Sequence, residues 1–157
     1  MDRTPPAGVP WIWHKETFYD VAVQQSNLIY SRTQRASGNW IVASVDVCNV
    51  IETLSKFKGD GGKVEGLAGV KKIGQLGDFT VYKHPAYTSG EWIMGHKGAS
   101  FLDTGYIYAP YLQLFTTSTI TLDDMISRKG MGHRSGQKVV NSGMYATGTV
   151  TQSGAAF

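Results

Sequence analysis

Few of the side chains that could do chemistry stand at a spacing that chemistry uses. The histidines His14, His84, His96 and His133 are scattered, with no pair at i, i+4 and no His-Glu helical signature, so the pattern of a zinc site is missing. Glu91, His96 and Asp103 offer an imidazole and two carboxylates, a trio that a hydrolase could use for acid–base work only if folding gathered them. Cys48 is the single cysteine, which rules out an intrachain disulfide and a cysteine zinc cage. No Gly-x-Ser-x-Gly elbow occurs. The run Gly59-Asp60-Gly61-Gly62-Lys63 follows a helical pattern and lacks Ser or Thr after its lysine, so it reads as a loop and not as a phosphate cradle. The expectation is a chain without catalytic residues, cofactor or metal.

Charge and aromatic rings offer more. Lys71 and Lys72 form one basic pair, and Arg128, Lys129, Arg134 and Lys138 a longer basic run; these six are the candidate contacts with neighbouring subunits or with nucleic-acid backbone, which rewards positive charge regardless of sequence. Tyr106, Tyr108, Tyr111 and Trp92 could instead form a stacking platform for sugars or single strands, the function of a small β-rich binding module. A net charge of +3 with a pI of about 9.0 is too mild for a dedicated nucleic-acid binder. Charged residues are only 17% and glycines number 19 in 157 residues, against averages of ~25% and ~7%. That balance points to many turns and a surface covered by partners.

The elements that must position these groups follow from periodicity. Residues 1–13, rich in Pro and Gly, read as a lead-in loop or a truncated end. Phe18, Val21, Ala22, Leu28, Ile29 and Ala36 recur at helical spacing, predicting one long helix from His14 to Ser37 stopped by Gly38. Tyr19, Val23 and Tyr30 make a second stripe on it, so this helix packs on two sides or lies against a neighbouring subunit. Trp40-Ile41-Val42-Ala43 reads as a buried strand, and Ser44 is placed to cap a helix through Leu54. Strands are predicted at Val70–Leu76, Phe79–His84, Glu91–Gly95 and Tyr106–Leu114, several of them antiparallel. The uncharged stretch Thr104–Leu122 holds Pro110, Gln113 and six Thr or Ser, so it reads as strands and not as a membrane span. Beyond Leu122 the periodicity is weak and six glycines interrupt it. The start lacks the apolar core of a secretory signal, and the lone cysteine suits a reducing place of synthesis.

Two ordered segments resemble a known family. Arg35-Ala-Ser-Gly-Asn-Trp-Ile-Val-Ala-Ser-Val-Asp-Val-Cys-Asn-Val-Ile-Glu-Thr-Leu54 is the first. The second is Gly95-His96-Lys97-Gly98, then Asp103-Thr104-Gly105 and Tyr106-Ile107-Tyr108-Ala109-Pro110-Tyr111-Leu112, with Phe79–Lys83 matching between them. Together they resemble the major capsid protein of T-even-like tailed bacteriophages over roughly residues 15–122, and Gly132-His133-Arg134 is similar to that family's closing basic strand. The resemblance implies an α+β, Hong Kong ninety-seven-type fold, here its C-terminal portion. Residues 14–122 would be the axial domain, an antiparallel sheet flanked by helices, and residues 123–157 the strands and tail of the peripheral domain. The N-terminal arm, extended loop and spine helix of the family have no counterpart in this sequence.

It also implies a structural, self-assembling subunit, made in the host bacterial cytoplasm and located in the virion. Such subunits form hexamers and pentamers of an icosahedral head around double-stranded DNA, with vertex, portal or decoration proteins as further partners and no membrane. The helix Lys15–Ser37 and the loop Gly59–Lys63 are the expected contacts within a capsomer.

Overall fold

The computed structural model describes residues 8, 11–60, 69–100, 103–121, 123 and 125–151 of the 157. The expected loop at Gly59–Lys63 therefore lies outside the described residues from position 61 onward, as do most of residues 1–10. Helix α1 runs Trp11–Thr33, beginning inside the segment expected to be a lead-in loop. It ends five residues before Gly38, because Gln34 adopts a left-handed φ of 52° while its N–H still donates to the Tyr30 carbonyl. Its buried stripe is Phe18, Ala22, Ser26 and Ile29. Ser26 is accommodated there by donating to the Gly38 carbonyl at 3.4 Å.

Strand β1 (Trp40–Ala43) is β-branched or aromatic at three of its four positions, and α2 (Val45–Ile51) follows directly. Ser44 occupies the N-cap position with extended backbone but makes no capping bond; its hydroxyl accepts instead from Gly90 N–H, tying the helix start to the residue that precedes the strand Glu91–Gly95. The helix stops at Ile51, not Leu54, yet Val47, Val50, Ile51 and Leu54 are all buried, because tighter turns carry the chain through residue 54.

The remaining strands are β2 (Phe57–Gly59), β3 (Lys71–Leu76), β4 (Phe79–Lys83), β5 (Glu91–Gly95), β6 (Tyr106–Thr116), β7 (Ile120–Thr121), β8 (Ser127–Arg128), β9 (Met131–Val139) and β10 (Tyr145–Thr149). Five of them join β1 in one six-stranded sheet in the order β10-β5-β1-β4-β3-β2. The sheet is mixed, not purely antiparallel: β1 and β4 run parallel, joined by a crossover through α2 and the β2–β3 hairpin. Burial alternates along β1, β4 and β5, so one face carries Ile41, Ala43, Val81, Trp92 and Met94 into a single core with both helices. Phe18 of α1 meets the Trp92 ring edge-on at 5.5 Å. The other face shows half-buried Trp40, Val42, Tyr82 and Ile93.

The strands on either side of residue 122 are divided between two sheets. Strand β10, beyond it, returns to pair along the whole of β5, whereas β6, before it, leaves the sheet and pairs with β9 as a separate two-stranded ribbon. No described helix is long and apolar enough to cross a membrane.

Candidate assembly surface

The structure gathers four of the six candidate cations on one feature. Arg128 and Lys129 lie at the far end of the β6–β9 ribbon, and Arg134 and Lys138 stand on β9 opposite Leu112 and Ile107. Lys71 and Lys72 sit apart, in β3 of the six-stranded sheet. Lys72 is already committed to Asp60 across the β2–β3 hairpin at 2.7 Å, and that carboxylate raises the lysine above its ordinary range.

Little else touches the ribbon. Neither of its strands makes a substantial contact with any other described element, and only Ile107, Gly132 and Ser135 are even half-buried. Tyr106, Tyr108, Tyr111, Leu112, Leu114, Phe115, Met131 and Val139 are all exposed. An uncovered two-stranded ribbon is marginal in water, and this many exposed apolar side chains on one feature make it a candidate interaction site.

Register decides which side chains share a face, since residues directly opposite point the same way. One face holds Tyr106 beside Val139 and Tyr108 beside Gln137. Its polar atoms serve one another: the Tyr106 hydroxyl donates to Gln137 Oε1 at 2.7 Å, and Tyr108 stacks on His133 with its hydroxyl 3.1 Å from Nε2. Strict alternation would then place Leu112 on this polar face. Register shifts between Pro110 and Leu112 and between Leu112 and Phe115 instead set these two opposite Arg134 and Gly132. The second face is therefore an apolar row of Ile107, Ala109, Leu112 and Phe115 flanked by Lys138 and Arg134. Its middle is low, because Ala109 faces Gly136, and a Cβ there would meet nothing nearer than 3.9 Å.

The ribbon is held to the sheet by a dense junction. The Gly105 carbonyl accepts from the N–H groups of Val140 and Asn141 at 2.8 and 3.2 Å. A Cβ at this buried glycine would fall 2.6 Å from the Tyr145 ring and 2.7 Å from the Asn141 carbonyl. Asn39 bonds both main-chain groups of Lys97, donating to its carbonyl at 2.8 Å and accepting from its N–H at 3.0 Å. His96 spans the Ser37 carbonyl at 2.8 Å and Asp103 at 3.3 Å. Burial, reinforced by the nearby Tyr106, raises the Tyr145 phenol above its ordinary value.

These contacts settle where the other candidate groups stand. His96 and Asp103 do meet, but Glu91 lies at the opposite end of β5, so the trio is not assembled. Trp92 is 2% exposed beneath Phe18 and cannot join Tyr106, Tyr108 and Tyr111 in a stacking platform. Cys48 is buried in α2, where burial pushes its thiol up to about 11. Among the described residues no cluster of His, Cys, Asp or Glu could hold a metal ion. Sequence reading missed the Asn39–Lys97 clasp and the two bulges; only Pro110 within an otherwise regular strand signalled irregularity.

The profile of the family described as Major capsid protein Gp23 matches residues 12–156. No curated protein is matched. Among solved structures, a crystal structure assigned as a prophage capsid protein from E. coli CFT073 aligns with a TM-score of 0.53 at 11% identity, over 87% of this chain and 47% of that one. At that identity the likeness is one of fold, and the chain spans just under half the length of the protein it matches.

Proposed function

Because the chain belongs to the Gp23 major capsid protein family, we propose that this structural capsid protein of a tailed phage acts by self-assembly into the hexamers and pentamers of an icosahedral head enclosing double-stranded DNA. The observation that carries this reading is the β6–β9 ribbon, which has no buried residue and an apolar row along one face. Such a surface is satisfied by burial against a neighbour. In Hong Kong ninety-seven terms the helix–sheet body corresponds to axial-domain structure, with β10 included, and the ribbon to peripheral-domain strands. The role needs no catalytic residue and no cofactor. The product belongs in the virion, after synthesis in the host cytoplasm. Lys129 and Arg134 are exposed enough to meet either a subunit carboxylate or packaged DNA. Vertex, portal and decoration proteins are further partners on this reading.

The test is to sediment native particles through a density gradient and map this chain's peptides by mass spectrometry. Peptides travelling with DNA-filled particles are the expected result. Peptides confined to low-mass soluble fractions would refute the shell role.

A further inference from the structure

Resting on the shell reading, we propose that the apolar face of the β6–β9 ribbon of one copy lies across helix α1 of the next, with Arg134 and Lys138 paired to Asp20 and Asp78 of that neighbour. The ribbon's edges are poor docking sites. The β6 edge is interrupted by Pro110 and two register shifts, and the β9 edge carries Arg134 and Lys138; these are the devices by which proteins block strand addition. Of the two faces, the Tyr106–Tyr108 face already satisfies its own polar atoms. The other has an apolar row, a low middle at Ala109 and Gly136, and two cations.

A second ribbon cannot cover that face. Neither β6 nor β9 contains a single Asp or Glu, so two ribbons packed together would desolvate four cations with no counter-charge, a cost unfavourable by several kcal/mol per unpaired ion. The partner surface must be a different one, apolar with carboxylates beside it. The body of the same chain has such a surface. On α1 the half-buried Tyr19 and Val23 reach the core with only part of their surface, and Tyr30 is 56% exposed; Lys56 Nζ covers the Tyr19 ring at 4.1 Å from its centroid, so the open apolar part of the stripe is Val23 and Tyr30 and the two carboxylates beside it outnumber this one cation. Asp20 lies beside this stripe. Asp78, in the turn between β3 and β4, is brought to it because Gly77 packs against the Tyr19 ring. Both carboxylates are exposed, and among the described residues neither enters an ion pair. A contact between two different patches of one chain is heterologous, so it propagates into rings or chains and does not stop at a two-fold dimer.

The experiment compares four purified full-length chains by analytical ultracentrifugation over a concentration series, with circular dichroism to verify folding: wild type, R134E/K138E, D20K/D78K, and the variant carrying all four changes. The expected result is species larger than dimers for wild type, loss of association in each double variant, and its return when the charges are exchanged on both sides. Association of the double variants at wild-type strength, failure of the fourfold exchange to restore it, or a wild type that stops at dimers overturns the pairing. A wild-type chain that stays monomeric at the highest attainable concentration overturns it too, while the shell reading is decided separately by the native particles.

Discussion

Replacing Gly105 by alanine tests whether the ribbon is set by a close-packed junction. The new methyl would lie 2.6 Å from Tyr145 Cε2, 2.7 Å from the Asn141 carbonyl oxygen and 3.0 Å from Met144 Cβ, whereas carbon contacts are comfortable at ~3.5–4.0 Å. Something must move by close to ~1 Å. The carbonyl belongs to main chain that is itself held by Gly105, and the Tyr145 ring packs toward Trp40 with centroids 6.1 Å apart, so neither can retreat freely. Overpacking of this kind costs about 1–3 kcal/mol. With a urea slope of ~1–3 kcal/mol/M, a loss of ~2 kcal/mol lowers the unfolding midpoint by roughly 0.7–2 M. Gly136→Ala is the control, because its Cβ meets nothing closer than 3.9 Å. Its expected effect lies within about 0.5 kcal/mol, or is slightly stabilising through the unfolded state. Equal midpoints for the two variants in urea titrations followed by tryptophan fluorescence would refute the junction argument.

Other perturbations probe the body and its coupling to the ribbon. Phe18→Ala removes a fully buried ring from its contact with Trp92 and should cost about 3–5 kcal/mol by calorimetry; a loss below ~1 kcal/mol would mean the helix–sheet interface is wrongly placed. Asn39→Ala deletes both bonds to the Lys97 main chain, so amide exchange across residues 96–105 should accelerate roughly tenfold, for a lost bond of about 1 kcal/mol or more; unchanged exchange there would discount the clasp. Cys48 should resist alkylation at pH 8 in the native state and react on unfolding, because burial holds its thiol protonated up to about 11. The unfolded thiol ionises near ~8.5, so its burial favours folding fully below that pH, and the advantage is lost as pH rises toward the folded value. Wild type should therefore lose more stability than Cys48→Ala between pH 9 and about 11; parallel pH profiles would contradict this.

What was legible in the sequence was what local pattern controls. The β-branched run at residues 40–43, the buried stripe of α2 and the hairpin around Gly77 each carry their signal within a few residues. The φ of +58° at Gly77 is the left-handed turn that such a glycine permits. Strand β10 escaped because Tyr-Ala-Thr-Gly-Thr has little hydrophobic alternation; it is a strand because β5, fifty residues earlier, supplies its hydrogen bonds and its Gly148 gives room to the Trp92 ring. The Ser44 hydroxyl was misread for a related reason, since its bond to Gly90 spans 46 residues and outcompetes the local cap. The basic run was legible as a cluster, but the neutralisation of Lys72 by Asp60 required the β2–β3 pairing that places them together.

The contrast between body and ribbon follows from where each finds its stabilisation. The body buries one face of six strands under two helices, so its strands have both partners and a core, and its charged groups Lys83 with Glu52 and Lys72 with Asp60 are neutralised within the chain. The ribbon has hydrogen bonds between its two strands and almost nothing beneath them. Its bulges spend regular pairing to bring Leu112 and Phe115 onto one face, and that face is then left to water. Selection on the isolated chain would favour the reverse, a flat ladder with polar side chains outward. On the shell reading proposed above, the missing core of the ribbon is supplied by another surface, so the burial that its apolar row lacks in the single chain would come with assembly.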